Sequence, residues 1–378
     1  MIQLLRECPP GYGGVERTAH ELAIQDASTD SEVFCIANKL LEPDPLQVSY
    51  RRFYLPHLKL GRLRFVIPGA LFCKLLFSSK AVHAHLPSPE VLSLIMIMKI
   101  IQPNRCISIH WHALLEGHLY GLYQFLALCL ARFCNLQVIA TSPILRDLLL
   151  LRGLHKERVH ILPCCLSEEA ECSLTAQYRA VKLHSASTNL SRAGSIFRVV
   201  CIGRLDTYKR IDWVINALNL CGPGYLLSVV GVGPNRVYLE DLAAKKFESK
   251  DQYFFYGSIC EEQKFDLLSC ADLLILASNS SHEAFGIVQL EAMACGVPSL
   301  ALQCTDSGTS WVSNLASLPR WDKPAPEALA QILMLLNFDR VRHQNACHEA
   351  FNKYQSQFNR NIWKSQRDFV FNSINYSV

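Results

Sequence analysis

The chain has 378 residues, of which half are hydrophobic and 19% are charged, and its formal net charge at neutral pH is +4. This length accommodates two globular domains, and the composition is unlike that of a disordered chain. The sequence contains no apolar run of the ~18 residues that a membrane-spanning helix needs and no start typical of a secretory signal peptide, so we expect a cytoplasmic protein.

The sixteen cysteines show no spacing typical of a metal site or a disulfide framework. C-x-x-C is absent, Cys164 and Cys165 are adjacent, and several other cysteines lie in apolar runs, where a thiol behaves as a small hydrophobic group. We predict reduced, structural cysteines.

The first predicted strand covers residues 2–5, and a glycine-rich loop and a helix follow it. Gly13 and Gly14 precede apolar residues at helical spacing, so the loop lets the backbone approach a ligand at the strand end. Many α/β proteins begin in this way, and the pattern alone is weak support for any function.

Residues 58–80 mix basic and apolar side chains, and no acidic residue occurs from 45 to 89. We expect two short helices here, separated at Pro68 and Gly69. Such a surface suits contact with anionic lipid headgroups. A half-buried helix with a solvated basic face is the alternative.

Two H-x-H pairs lie at the ends of the next two predicted strands, at His83/His85 and at His110/His112. Each pair shares one face of a strand and could chelate a metal, but no carboxylate or cysteine cluster lies nearby, so we do not expect one. Residues 119–135 predict an internal apolar helix. The alternation of strands and helices predicts a parallel sheet covered on both faces.

Residues 164–195 are polar and weakly periodic and predict a linker, after which a strand begins at Phe197. Gly203 ends that strand, and Arg204 and Lys209 follow it. A guanidinium and an ammonium group placed there could neutralise a diphosphate, although a solvated loop is the alternative.

The G-V-G at 231–233 resembles the start of a dinucleotide-binding motif. Arg236 stands where that motif requires its third glycine, so NAD binding is not expected. Gly257 lies in a later loop that we expect near the base of a nucleotide.

Residues 271–301 combine a predicted strand, a polar loop and a helix. Glu283 precedes the helix, Gly286 allows a close backbone approach, and Glu291 lies about two helical turns beyond Glu283. The N–H groups of Ile287 and Val288 would favour a phosphate, and the two glutamates could hold the sugars of a sugar nucleotide. A buried amphipathic helix with one capping and one solvated glutamate explains the stretch equally well.

The run E-A-F-G-I-V-Q-L-E, from Glu283 to Glu291, resembles the E-x7-E signature of the retaining glycosyltransferases of family 4, which have the GT-B fold. Other segments resemble this family in the expected order: G-G-V-E at 13–16, H-W-H at 110–112, G-R-L-D-T-Y-K at 203–209, V-V-G-V-G-P at 229–234 and S-G-T-S-W-V at 307–312. Ala113 and Leu114 depart from the Ser-Asp that usually follows the histidine.

The resemblance implies an α/β chain with two Rossmann-like parallel-sheet domains that face a cleft. Residues 1–190 would form the acceptor-side domain with the linker, and residues 191–355 would bind the nucleotide sugar. Residues 356–378 would form a helix that crosses back to the first domain.

The resemblance also implies transfer with no metal and no cofactor, the sugar nucleotide being a substrate. The residues expected to act in catalysis are Glu283, His112, Arg204 and Lys209. The residues expected to bind the donor are Gly13, Gly14, Gly203, Gly257, Phe285, Gly286, Ile287, Val288 and Glu291.

The expected reaction moves a hexose, with mannose from GDP-mannose favoured, to a hydroxyl of a lipid-linked or polysaccharide acceptor, as in lipopolysaccharide synthesis. We expect a peripheral protein on the inner face of the cytoplasmic membrane, held there through residues 58–80, with no nucleic-acid partner. A catalytically silent GT-B subunit that binds a sugar nucleotide or a partner is the alternative.

Overall fold

The structure is a computed structural model that describes residues 1–9, 13–26, 31–38, 48–61, 63–115, 118–187, 196–315 and 326–374. These residues form two compact units. The first unit comprises residues 1–164 together with the end of the chain from Lys364, and the second comprises residues 165–363. The predicted domain boundary at Ser191 lies outside the described residues.

The first unit is built on parallel strands. Its strands are β1 (Ile2–Leu5), β2 (Glu32–Cys35), β3 (Arg51–Tyr54), β4 (His57–Leu60), β5 (Leu63–Val66), β6 (Val82–Leu86), β7 (Ile107–Trp111), β8 (Gln137–Ala140) and β9 (Val159–Ile161). Seven of them form one parallel sheet in the order β3-β2-β1-β6-β7-β8-β9, and β4 pairs with β5 as an antiparallel hairpin. The central strands are buried along their whole length, as expected for a sheet covered on both faces.

Five helices connect these strands. They are α1 (Gly14–Gln25), α2 (Ala70–Phe77), α3 (Pro89–Ile101), α4 (His118–Phe133) and α5 (Pro143–Leu151). The helices α3 and α5 each begin with a serine cap followed by proline: Ser88 accepts a hydrogen bond from the Val91 N–H, and Ser142 accepts one from the Leu145 N–H.

The second unit repeats this plan with a smaller sheet. Its strands are β10 (Phe197–Ile202), β11 (Tyr225–Val230), β12 (Tyr253–Gly257), β13 (Leu273–Leu276) and β14 (Ser299–Ala301). They run parallel in the order β12-β11-β10-β13-β14. Its helices are α6 (Glu168–Ser187), α7 (Ile211–Cys221), α8 (Arg236–Lys246), α9 (Glu261–Ser269), α10 (Val288–Ala294), α11 (Thr309–Val312), α12 (Pro326–Phe338) and α13 (Arg340–Lys353). A last helix, α14 (Arg360–Ser373), starts in this unit and ends in the first.

The stretch predicted to be a linker contains the helix α6, so that prediction was wrong for most of its length. Ala170 and Leu174 are buried at helical spacing, and the Tyr178 ring stacks on Phe351 at 3.9 Å between centroids. The acidic first turn also favours a helix start. The apolar stripe of α6 is narrow, so the helical periodicity in the sequence is weak and did not predict this helix.

The segment from 57 to 67 is a β-hairpin and not the first of two helices, so that prediction was also wrong. Its apolar residues alternate at period two, and Gly61 adopts the left-handed conformation that the turn requires (φ +60°). The second predicted helix of this region is α2.

The composition of α4 predicted an internal helix, but the structure shows that one of its faces is exposed. Leu122 and Phe125 are exposed by 64% and 61%, whereas Ala127 and Ala131 are buried against the sheet. Tyr123 and the small alanines form its contact face, with Leu128 and Leu130 partly buried beside them.

Among the described residues, none of the helices combines the length and the hydropathy needed to cross a bilayer. None of the sixteen cysteines, all of which lie in the described ranges, forms a disulfide bond. Both units have the Rossmann-like architecture that the sequence predicts, so ligands are expected at the carboxyl ends of the strands.

Candidate active site

Glycines end three neighbouring strands of the second sheet. Gly203, Gly231 and Gly257 follow or close β10, β11 and β12, and all three have positive φ. The Gly203 N–H donates to the Val230 carbonyl, and the Gly231 N–H donates to the Gly257 carbonyl at 2.8 Å. A β-carbon on Gly231 would overlap the Gly203 carbonyl oxygen. This edge of the sheet therefore presents bare backbone, which a flat or charged ligand can approach closely.

The structure brings Lys209 and Glu283 together at this edge. The Lys209 ammonium donates a hydrogen bond to the Glu283 carboxylate, and both side chains are largely buried. Burial lowers the pKa of Lys209, but the charge of Glu283, the hydrogen bond to it and the charges of Tyr208 and Asp206 together outweigh burial, so the net pKa is raised. The Asn279 N–H donates to the Tyr208 carbonyl at 3.0 Å and so ties the two loops together.

Arg204 lines the same shallow, solvent-open depression as Gly203 and Lys209. Its guanidinium lies 3.1 Å from the Asp206 carboxylate, and its side chain is 72% exposed. The two cations therefore differ: Lys209 is held by a carboxylate inside the protein, whereas Arg204 extends into solvent and can swing towards an anion.

Gly286 has a role that does not depend on any ligand. Its φ of +72° lies in the left-handed region, and a β-carbon there would overlap the Leu276 side chain. The helix that follows begins at Val288, with Ile287 at its N-cap. The chain turns between Glu283 and Val288 only because residue 286 lacks a side chain.

A set of residues that sequence analysis did not select fixes the loop that carries Glu283. Ser307 donates to the Glu283 carbonyl, and the Gly308 N–H donates to the Ala284 carbonyl at 2.9 Å. Gln289 is fully buried and donates from its Nε2 to the carbonyls of Phe285 and Thr309, both at 3.1 Å. The signal that could have found Gln289 is a polar side chain on the buried face of an apolar helix.

The Phe285 ring packs edge-on against Trp311 and Phe358, with centroids 6.2 and 6.1 Å apart. Phe285 is 5% exposed, so its side chain is part of the core beneath the loop. Contact with a donor would therefore come from the backbone of residue 285.

Glu291 is buried beside a cation that the sequence analysis missed. The Lys264 ammonium lies 2.8 Å from the Glu291 carboxylate and 2.9 Å from that of Glu261. Lys264 shares the buried face of α9 with Phe265 and Leu268, and a lysine at such a position indicates a buried carboxylate partner.

In the first unit, Gly13 is the N-cap of α1 and Gly14 is its first residue. A β-carbon on Gly13 would overlap the Glu16 carboxylate, whereas the space beside Gly14 is open. Burial raises the pKa of Glu16. Gly11, which belongs to the same predicted loop, lies outside the described residues.

His112 follows β7 and belongs to a cluster of four buried histidines. Its Nε2 lies 2.9 Å from His85 Nδ1, and His85 Nε2 lies 2.7 Å from the Gln3 carboxamide oxygen. His83 Nδ1 lies 2.6 Å from the Ser108 hydroxyl. The residues that sequence analysis treated as two separate pairs thus form one group on adjacent strands.

Nitrogen atoms of His85, His110 and His112 lie within 4.8 Å of one another. However, the His110 and His112 rings are stacked at 4.3 Å with only 8° between their planes, and the His85 ring is within 20° of His112. Lone pairs of stacked rings run parallel, so a single ion cannot lie in the planes of both. The geometry favours hydrogen bonding within the cluster over metal coordination.

Ala113 and Leu114, which depart from the family pattern, are both buried. The Ala113 carbonyl accepts a hydrogen bond from the Trp111 indole at 3.0 Å, and Leu114 is part of the hydrophobic core. Ala113 and Leu114 are buried as apolar residues, whereas the Ser and Asp of the family pattern would need polar partners at these buried positions.

Each unit thus assembles its own predicted residues at the carboxyl ends of its strands. Gly13, Gly14 and His112 lie at that edge of the first sheet. In the second unit this edge carries Gly203, Arg204, Lys209, Gly257, Glu283, Gly286, Ile287 and Val288.

The two units match known families. Residues 12–169 match the family described as Glycosyltransferase Family 4, and residues 191–353 match Glycosyl transferases group 1. Mannosylfructose-phosphate synthase of Agrobacterium fabrum is 27% identical over 187 residues, which are 46% of this chain and 38% of that protein. The GDP-mannose-dependent alpha-(1-6)-phosphatidylinositol dimannoside mannosyltransferase of Mycobacterium tuberculosis is 31% identical over 158 residues, which are 39% of this chain and 38% of that protein. The chain therefore spans less than half the length of these curated relatives.

Solved structures with the same fold cover the whole chain. HepE of Anabaena in complex with UDP superimposes with a TM-score of 0.75 at 18% identity and covers 98% of this chain and 99% of its own. WaaG, described as a glycosyltransferase involved in lipopolysaccharide biosynthesis, has a TM-score of 0.63 at 16% identity and covers 98% of both chains. At such identities the likeness establishes the fold alone. Because both halves match glycosyltransferase families in the predicted order, the chain belongs to the glycosyltransferases of family 4 and has the GT-B fold.

Proposed function

We propose that the protein is a retaining hexosyltransferase that moves a sugar from a sugar nucleotide to an acceptor hydroxyl. The observation that carries this proposal is the pairing of Lys209 with Glu283 beside the glycine edge of the second sheet. This pairing supports the proposal because an ammonium group could bind a phosphate and the neighbouring carboxylate could bind sugar hydroxyls, beside backbone that a nucleotide can approach.

In this proposal Lys209 and Arg204 stabilise the negative charge that develops on the leaving diphosphate, so this chain supplies that charge stabilisation itself. Lys209 is preorganised by its carboxylate partner, and Arg204 swings in from solvent when the diphosphate binds. The N–H groups of Ile287 and Val288 lie at the same edge and add donors for the diphosphate.

Glu283 would accept hydrogen bonds from the donor sugar, and Glu291 would bind the ribose. Retention can follow a same-face route in which the leaving phosphate accepts the proton of the acceptor hydroxyl. A double displacement with Glu283 as the nucleophile is less favourable, because its carboxylate is paired with Lys209 and is repelled by the diphosphate.

We favour mannose from GDP-mannose as the donor. Support comes from the names of two relatives, one of which is GDP-mannose-dependent and the other a mannosylfructose-phosphate synthase. A solved structure of this fold contains UDP-glucose, which makes a UDP-sugar the competing donor.

The acceptor in this proposal is a lipid-linked saccharide, presented by the inner face of the cytoplasmic membrane. The support is the exposed apolar surface of the β4–β5 hairpin, on which Leu58, Leu60 and Phe65 are exposed by 66%, 72% and 53%. A soluble protein rarely exposes such a group of large apolar residues without a partner. WaaG, which has this fold, is described as acting in lipopolysaccharide biosynthesis.

The basic residues of this region contribute less than the sequence suggested. The Arg64 guanidinium bonds to the Ile36 carbonyl at 2.6 Å and to the Glu7 carboxylate at 2.7 Å, so it faces the protein rather than a lipid. Lys74 on α2 likewise faces the protein, since its ammonium lies 3.3 Å from the Glu32 carboxylate and 3.6 Å above the Phe53 ring. Lys59, at the exposed edge of the hairpin, remains as a candidate for headgroup contact.

A silent subunit that binds a sugar nucleotide without transferring the sugar is the second candidate. The observation that favours it is the burial of Ala113 and Leu114, which removes the polar pair expected beside His112. Binding of a donor without transfer or hydrolysis in a full panel of acceptors would support it.

The test is a panel of GDP-, UDP- and ADP-sugars assayed for binding and for transfer to lipid-linked acceptors. Glu283→Gln and Lys209→Met should each lower transfer by at least ~100-fold, because each removes a group that acts on developing charge. Glu349→Gln removes an exposed carboxylate on α13 in the same unit and is the control. Normal turnover in either variant would show that Lys209 and Glu283 do not form the active site.

A further inference from the structure

The four buried histidines form two hydrogen-bonded chains whose direction the structure determines. One chain joins Gln3, His85 and His112 through contacts of 2.7 and 2.9 Å. The other joins Ser108, His83 and His110 through contacts of 2.6 and 3.3 Å. In each chain, one nitrogen of a ring can donate only if the facing nitrogen accepts.

All four rings are neutral at physiological pH. Burial lowers the pKa of His83 and of His112 to about 3, and it lowers the pKa of His85 and His110 well below the usual value. Each ring therefore carries one proton, and the open question is which nitrogen holds it. That choice decides whether the second nitrogen of His112 is a donor or an acceptor.

The carboxamide of Gln3 settles the direction of the first chain. Gln3 is 1% exposed, and with its oxygen towards His85 its NH2 group has no hydrogen-bond partner among the described residues. A buried amide nitrogen without a partner destabilises the folded state, and buried N–H groups without partners are rarer than such oxygens. A half turn of the carboxamide exchanges its two atoms, and the NH2 group then donates to His85 Nε2.

The second chain obeys the same rule. His110 Nε2 is buried without a partner among the described residues, so it is the unprotonated nitrogen of that ring. His110 then donates from Nδ1 to His83 Nε2, and His83 donates from Nδ1 to the Ser108 hydroxyl. No N–H group of these two rings is left without a partner.

We infer that Gln3 and His85 are positioning residues that hold His112 as the Nδ1–H tautomer. His85 accepts from Gln3 at Nε2 and therefore donates from Nδ1 to His112 Nε2. His112 must accept at Nε2, and its proton lies on Nδ1. Within the proposed function, on which this role rests, His112 then offers a hydrogen-bond donor to an oxygen of the donor sugar.

The tautomer is measured directly by nitrogen NMR on the full chain labelled with 15N-histidine, with His112→Asn used to assign the resonance. The expected result is a protonated Nδ1 and an unprotonated Nε2 on His112. A protonated Nε2 in the wild-type protein would overturn the inference, whether or not the protein transfers a sugar.

Gln3→Met removes the donor at the start of the chain while keeping the size of the side chain. The His112 signal should then average between the two tautomers, and a signal that stays wholly Nδ1–H would show that Gln3 does not set the tautomer. Gln137→Met is the matched control, because Gln137 lies 3.0 Å from His160 in the same sheet and should alter only that ring.

Kinetics then connect the tautomer with the reaction. Gln3→Met should lower kcat/KM for sugar transfer about tenfold, which is the value of one neutral hydrogen bond, and Gln137→Met should leave it unchanged. If the wild-type protein binds donors but transfers nothing, the proposed function fails while the NMR result still decides the tautomer. An unchanged kcat/KM in Gln3→Met, with its tautomer altered, would overturn the role of the chain in the reaction.

Discussion

The ammonium of Lys264 and the carboxylate of Glu291 form a buried ion pair with 2.8 Å between them. Their side chains are only 9% and 3% exposed, so neither charge is hydrated if the other is removed. Lys264→Met should therefore destabilise the protein by about 3–5 kcal/mol, the usual cost of removing one partner of a buried ion pair. Urea unfolding at neutral pH measures this effect.

The control for this pair is Lys245→Met, since Lys245 is exposed on α8. Its free energy of unfolding should change by no more than about 0.5 kcal/mol. Adding Glu291→Gln to Lys264→Met should recover part of the lost stability, because it removes the buried negative charge that Lys264 neutralised. No recovery in the double variant would contradict the ion-pair explanation.

Gly286→Ala should destabilise the second unit even without any ligand. Alanine would have to adopt φ +72° and its β-carbon would overlap Leu276, so we expect a loss of at least ~1–2 kcal/mol. Gly121→Ala, inside the helix α4 and with open space beside it, should instead be neutral or stabilising by up to about 1 kcal/mol. Thermal unfolding of both variants checks the contrast, and equal melting temperatures would refute it.

The stability of the protein should fall as the pH drops below about 6.5, where an unfolded histidine begins to take up a proton. The buried histidines have lowered pKa values in the folded state, so between about 6.5 and about 3 the unfolded chain binds more protons than the folded one. Each such histidine contributes a slope of up to about 1.4 kcal/mol per pH unit.

Replacing one of these histidines tests the origin of that slope. His83→Gln should reduce the pH dependence of the free energy of unfolding by about one proton, measured by urea titration between about pH 5 and about pH 7. His348→Gln, exposed on α13, should leave the slope unchanged. An undiminished slope in His83→Gln would assign the acid sensitivity to other groups.

Binding to lipid vesicles should depend on the apolar side chains of the hairpin more than on Arg64. The double variant Leu60→Ser/Phe65→Ser should weaken binding to anionic vesicles by at least ~tenfold, because burial of one large apolar side chain is worth about 1.5–3 kcal/mol. Co-sedimentation with phosphatidylserine-containing and with neutral vesicles separates the apolar contribution to binding from the electrostatic contribution.

Phe125→Ser is the control for the hairpin, since Phe125 is an equally exposed apolar residue on α4. It should leave vesicle binding unchanged. Binding that survives in the hairpin variant but is lost in the control would move the proposed surface to α4.

The sequence predicted both sheets because each strand is a short apolar run that ends in a glycine or a polar loop. It also predicted the residues at the carboxyl edge of each sheet, since motif spacing fixes where a loop begins. Lys209 and Glu283 were selected separately, 74 residues apart, and the parallel sheet explains how they meet.

The parts that were missed depend on partners far apart in the chain. Gln3 lies 82 residues from His85, and no local pattern links them. Lys264 looks like an ordinary helix residue until Glu291 is known to face it. The hairpin was predicted as a helix because its basic residues obscured an alternation of only four residues per strand.

The helix α6 has a practical consequence for dissecting the protein. A fragment cut at Ser191, where composition changes most visibly, would lose Tyr178 and leave the Phe351 ring and the helices α9 and α10 without their cover. A fragment that starts at Cys165 retains the helix α6. We expect it to be monomeric, and we expect the fragment that starts at Ser191 to aggregate.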